Sequence, residues 1–229
     1  MNMRFFFWEC LQRFTPSLIK GFGVVVEVTI IGFLLSLVLA LVLGIGRMSK
    51  SRILRGIIIG FVELIRGTPL LVQLFYIYYV IPLILNRIVG IPNAVNFTSV
   101  FAGILGLGIN YGCYQSEVIR SAILAVPRGQ TEAGLALGFS ERKVLYRIVL
   151  PQAIHNTIPV FGNYLVMMVK DTSLLSCIAV SELLLRTQAY AAQTFQTVES
   201  YTYLAIAYLI ISLPLARLVK IIENKIRIA

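Results

Sequence analysis

Long unbroken apolar runs constrain this chain more than any other feature. Residues 22–44 carry one charged side chain, Glu27, and residues 201–221 carry only Arg217 and Lys220. A helix that crosses a bilayer's hydrocarbon core needs about 20 mostly apolar residues. Five stretches meet that need: 22–44, 57–85, 97–118, 154–180 and 201–221. Of the 229 residues, 58% are hydrophobic, more than a soluble domain of this length buries. The expected class is an all-α polytopic membrane protein with five transmembrane helices.

Charge gives the expected orientation. The net charge is +10. In a soluble chain that excess would point to nucleic acid. In an apolar one, Lys and Arg retain cytoplasmic loops and face anionic lipid. The first loop holds Arg47, Lys50, Arg52 and Arg55. The third holds Arg120, Arg128, Arg142, Lys143 and Arg147, and the C-terminal tail Arg217, Lys220, Lys225 and Arg227. The loops between hold only Arg87 and Arg186. The rich loops are therefore expected in the cytoplasm, with the N-terminus outside and the C-terminus inside. Arg4, Arg13 and Lys20 run mildly against that orientation. Residues 1–21, with Phe5-Phe6-Phe7-Trp8 among those charges and Glu9, read as an interfacial amphipathic segment. They lack a cleavable signal pattern. The outer loops are expected at 86–96, closed by Pro92, and at 181–200, which has room for a short surface helix. Both are too short to be a receptor domain, so a ligand-capturing protein would be a separate chain. Cys10, Cys113 and Cys177 have no disulfide or metal spacing and read as small buried hydrophobes.

Ionisable groups inside spans cost about 2.5–3.5 kcal/mol each at the helix centre on insertion scales, so they mark cavities or partners. Glu63 and Arg66 share a helix face and can pair. Gly67-Thr68-Pro69 follows, and Pro69 predicts a kink with a freed carbonyl. Two readings stay open there: a structural salt bridge, or a lining of a translocation path. Lys170-Asp171-Thr172-Ser173 groups polar side chains at one level of the fourth span. It could bind an amino acid's ammonium and carboxylate. It could equally be a helix end, with Lys170 snorkelling and Asp171 or Thr172 capping. Glu27 falls near the outer end of the first span, and Glu117 with Arg120 marks the inner end of the third. The single histidine, His155, suits a solvated surface better than catalysis or metal binding. Gly44-Ile45-Gly46-Arg47 lacks the spacing and Lys-Ser/Thr ending of a phosphate loop. Catalytic and metal residues are expected to be none, so any energy consumed would come from another subunit.

The segment 120–151 is long and polar for a connector. Residues 131–137 predict a short helix, Gly138 a left-handed stop, and Ser140 the cap of a second helix with Lys143 three residues on. The expected result is a helix-turn-helix bracket on the membrane surface.

Glu132-Ala133, Gly138 six residues after Glu132, then Ile148 and Leu150-Pro151 resemble the EAA loop of ABC-importer permeases. This chain has Gly134 where the family pattern has Ala. Glu63 to Gln73 and Lys170-Asp171-Thr172-Ser173-Leu174 are similar to blocks of the polar amino acid permeases. The resemblance covers nearly the whole chain. It implies a single permease domain, 1–229, in a bacterial inner membrane. It also implies a second permease copy or sister, two cytoplasmic ATPases that bind ATP and Mg, and an external solute-binding protein. Glu132, Ala133, Gly134, Gly138 and Arg142 would form the ATPase-coupling segment. Lys170, Asp171, Thr172, Ser173, Arg66 and Thr68 would contact substrate. A gradient-driven transporter and a non-transporting scaffold are the alternatives, and neither explains the long loop.

Overall fold

A computed structural model describes residues 3–91 and 94–228, with the side chains of residues 3–7, 9 and 226–228 left undescribed. The expected roles of Arg4, Phe5, Phe6, Phe7, Glu9, Pro92 and Arg227 lie outside what is described. The described residues form ten α-helices with short π and 3-10 segments, and no strand.

The first helix, α1 (Met3–Gly46), is continuous. The N-terminal stretch is its first turns, with no boundary before the apolar run. Glu27 consequently stands near the helix middle, exposed on its surface. Ile30, Leu34, Val38 and Val42, spaced four apart, are also exposed. In water such a stripe would be buried against a partner, whereas in hydrocarbon it is already solvated.

The second apolar run is broken. Helix α2 (Arg52–Arg66) is capped by Ser51 and ends at Gly67. After Thr68-Pro69 the chain resumes as α3 (Leu70–Phe75), a π-helical turn (Tyr76–Val80) and α4 (Ile81–Val89). Of this run, Leu70–Val89 is long and apolar enough to cross a membrane. Asn86 then clamps the following loop, accepting from Val95 N at 2.7 Å and donating to its carbonyl at 2.9 Å.

Helix α5 (Ser99–Ala125) is the centre of the molecule and extends beyond its expected end at Val118. Its buried face mixes Leu107, Ile119 and Ile123 with many small and polar residues, including Gly106, Gly108, Gly112, Asn110, Gln115 and Ser116. That composition lowers its apolarity and lets other helices approach closely. Against α1 the fit is tight. A Cβ on Gly112 would sit 2.8 Å from Leu39 Cβ and 3.2 Å from the Ser36 carbonyl.

The chain continues through α6 (Arg128–Ala136) and α7 (Glu141–Val144) into a π-helical turn (Leu145–Val149) and α8 (Leu150–Asp171). A 3-10 segment (Thr172–Ile178) prolongs α8 to Ala179, whose φ of 61° stops it. Helix α9 (Leu183–Thr194) leaves at 52°, and α10 (Thr197–Ile228) closes the fold. The surface helix expected within 181–200 is α9, but Leu183 and Thr187 are fully buried. Glu182, also fully buried, caps it by accepting from Leu184 N and Leu185 N, each at 2.8 Å. Among the described residues, three helices pass the length and apolarity test for a span, and a fourth follows if the bent 141–194 pair counts as one. Of the cysteines, Cys10 and Cys113 are buried and Cys177 is exposed, which corrects the expectation for that one.

Gly112→Leu should lower the thermal stability of the detergent-solubilised protein, because overpacking costs about 1–3 kcal/mol. Gly23→Leu, with nothing within 4 Å of its Cβ position, should leave the unfolding midpoint nearly unchanged.

Candidate substrate path and docking segment

The break at Pro69 is held by one buried side chain. Proline has no N–H for the carbonyl four residues back, so Ile65 O is freed. Gln73 Nε2 donates to it at 2.6 Å, to Thr68 O at 3.0 Å and to Thr68 Oγ1 at 2.9 Å. Asn110 on α5 then donates to Gln73 Oε1 at 3.0 Å. Thr68 Oγ1 donates back to Leu64 O at 3.0 Å. The kink read from Pro69 is present, and the acceptor it frees is satisfied. Gln73 and Asn110 were not singled out by sequence. A glutamine four residues after an intramembrane proline was the available signal.

Arg66 is next to this break. It reaches Glu63 at 3.6 Å, as the spacing predicts, and Glu117 of α5 at 3.9 Å. Both distances exceed a good N–H···O hydrogen bond. Tyr114 lies under the guanidinium, 5.4 Å from its ring centroid. Arg47 and Arg120 hold Glu117 more closely, Arg120 at 3.0 Å. Glu117 is thus shared by three arginines, and only its pairing with Arg120 was legible in the sequence.

The second block meets the same helix higher up. Tyr111 donates to Asp171 Oδ2 at 2.7 Å, and its ring meets Tyr164 edge-on at 5.9 Å. Asp171 makes no side-chain cap, which removes the capping reading for it. Thr172 is buried, and its hydroxyl donates to Val169 O at 2.7 Å, so it does not cap either. Ser173 donates to Lys170 O at 2.8 Å, and Lys170 is exposed. Tyr111, Tyr114 and Glu117 repeat every three residues on α5, spanning about 9 Å at 1.5 Å per residue. They connect Asp171 at one end to Arg66 at the other. Lys170 and Ser173 are not drawn into that row.

The bracket at 128–147 has the expected form. Gly138 takes φ 80°. Phe139 N donates to Gly134 O at 3.2 Å and Gly138 N to Leu135 O at 2.9 Å, the two bonds of a Schellman stop. Ser140 Oγ then accepts from Lys143 N at 3.4 Å. Gly134 is buried, and a Cβ there would lie 2.8 Å from Val144 Cγ2 and 2.9 Å from Ile148 Cδ1. The departure from Ala therefore lets α6 pack directly on the segment after α7. On the opposite face Glu132, Ala133, Leu135 and Leu137 are exposed, Leu137 to 75%. Arg142 stacks over Tyr146 at 5.9 Å. Lys50 donates to Glu141 at 2.5 Å and holds that carboxyl below its ordinary range, first by the hydrogen bond and then by charge. A lowered carboxylate pKa means this contact persists above the ordinary value and is lost as pH falls through the lowered one. His155 is exposed.

This constellation joins an exposed bracket to a polar row beside a broken helix. Residues 18–228 match the family model described as binding-protein-dependent transport system inner membrane component. The chain belongs to that family. It is 38% identical over 221 residues to the L-cystine transport system permease protein TcyB of Bacillus subtilis, covering 96% of this chain and 91% of that protein. It is 34% identical over 223 residues to the glutamine transport system permease protein GlnP of Escherichia coli, covering 97% and 99%. A crystal structure of an amino acid ABC transporter with histidines superposes with a TM-score of 0.83 at 29% identity, over 94% of this chain and 96% of that one. The methionine ABC transporter MetNI, in an inward-facing conformation, shares the fold with a TM-score of 0.67 at 17% identity, over 92% and 98%.

Gln73→Leu should remove one donor from Ile65 O, which keeps the longer contacts of Thr68 N at 3.4 Å and Thr68 Oγ1 at 3.3 Å, and one from Thr68 O, at about 1 kcal/mol for each hydrogen bond lost. Hydrogen exchange of the amides from Leu70 to Leu74 should rise, while exchange in α9 stays at its wild-type rate.

Proposed function

We propose that this chain is the membrane subunit of an ATP-driven importer for polar amino acids. The observation that carries the reading is the α6–Gly138–α7 bracket, an ordered, partly apolar exposed surface in a chain of this family. An exposed apolar patch beside charge suits protein docking, and the sequence holds no phosphate loop of the Walker type. The amino-acid permeases among its relatives support the substrate class. They weigh against a gradient-driven transporter or a passive scaffold.

The five spans are α1, the broken α2–α4, α5, α8 with its 3-10 extension, and α10. The N-terminus is outside and the C-terminus inside, residues 1–21 lie at the outer interface, and residues 120–151 lie in the cytoplasm. Glu132, Ala133, Gly134, Gly138 and Arg142 belong to the segment docking on the ATPase, which alone binds ATP and Mg. Glu132 and Ala133 present the surface, and Gly134 and Gly138 set its shape. Two ATPases, a second permease copy or sister and an external solute-binding protein complete the importer.

Asp171 is the candidate for the substrate ammonium and Arg66 for the carboxylate. Arg66 is suited to this because its two internal carboxylates stand too far off to use its donors fully. Lys170 and Ser173 flank Asp171. Thr68 and Thr172 shape the backbone next to these groups.

Gly138→Val should lose the ATPase on copurification, since a β-branched residue at φ 80° costs about 1–2 kcal/mol and breaks the stop. Asp171→Ala should retain the ATPase yet lower uptake of L-glutamine or L-cystine into proteoliposomes. Unchanged uptake kinetics would remove Asp171 from the path.

A further inference from the structure

We propose that Glu117 is a positioning residue that carries movement of the docking bracket to the Thr68 break. This rests on the docking reading of the bracket. Five residues, Arg47 to Ser51, connect α1 to α2. Their turn is firmly bonded, with Met48 N to Ile45 O at 2.9 Å and Ser49 N to Gly46 O at 3.1 Å. Two cations leave this one connector in different directions. Lys50 binds Glu141 at the start of α7. Arg47, whose side chain is only 8% exposed, binds Glu117 in α5. Glu117 in turn faces Arg66, the last residue of α2 before Gly67-Thr68-Pro69.

The chemistry makes Glu117 the sensitive point. Lys50 and Glu141 are both largely exposed, so that contact is weak and screened. Glu117 is partly buried among Arg47, Arg66 and Arg120, with Glu63 as the only other carboxylate in the group. One anion thereby links the ends of α1 and α2 to α5, closely through Arg47 and more loosely through Arg66 at 3.9 Å. A displaced connector moves Arg47, and the shift of the shared carboxylate changes the field that holds Arg66. Arg66 adjoins the segment that Gln73 fastens, so the break is where the displacement is absorbed.

The test uses the assembled complex with its ATPase. Spin labels at Leu64 and Val72, both exposed and on either side of the break, report its geometry without ATP and after trapping with ATP and vanadate. The wild type should show a changed label separation on trapping. Glu117→Gln should lose that change while still hydrolysing ATP and retaining the ATPase. Because this variant leaves Arg47 buried opposite a neutral amide, the pair R47Q/E117Q is measured beside it, with the same loss expected. Glu117→Asp should recover part of the change. A full wild-type change in either neutral variant overturns the proposal, as does an unchanged separation in the wild type. Failure of both variants to assemble makes Glu117 a folding residue and overturns it too. If the wild-type chain itself does not hold the ATPase, the docking reading has failed instead, and copurification shows this before any label is read.

Discussion

A proline in the middle of an apolar segment frees a carbonyl that lipid cannot satisfy. The rest of this structure is arranged around meeting that demand at Pro69. Gln73 fills the gap from one turn ahead, and Asn110 fixes Gln73 from α5. The side chain that repairs the break therefore also attaches it to the central helix. That amide adds to the contacts of Arg66 with Tyr114 and Glu117 in setting the polar stretch from Glu63 to Thr68 against α5.

Helix α5 can serve as the centre because it is poor in bulk. Gly106, Gly108 and Gly112 admit Leu74, Leu35 and Leu39 at close range, and dispersion contacts replace the hydrophobic driving force that a bilayer does not supply. Asn110, Tyr111, Ser116 and Glu117 on the same helix find partners along its length, while the buried Gln115 has no hydrogen bond among the described residues. The small face and the polar row share one helix, so packing and function are not separated in space.

Much of this was legible in the sequence because it followed from strong local rules. Pro69 announced a break, Gly138 a left-handed stop, and Ser140 a cap, and each is where the backbone required it. Glu63 and Arg66 paired because three residues on a helix leave them adjacent. What escaped was long-range. Glu117 reads locally as a partner for Arg120, and only the fold brings Arg47 and Arg66 to it. Asp171 read equally as a substrate contact or a helix cap, and its partner Tyr111 lies sixty residues earlier. Gly134 read only as a departure from the Ala of the family pattern, and the fold places Val144 and Ile148 against it. The first turns of α1 read as a distinct segment because charge interrupts the hydropathy there, although the helix itself runs on without a break.

The tight fit between α1 and α5 has a mechanical consequence. With Leu39 and the Ser36 carbonyl close against Gly112, sliding or rotation of the two helices past one another is resisted by the packing. Movement between helices costs less where the chain is broken. Gly67 to Pro69 and the left-handed Ala179 after the 3-10 segment are among the breaks where it can be absorbed. One lies next to Arg66 and the other closes the segment that begins just after Asp171.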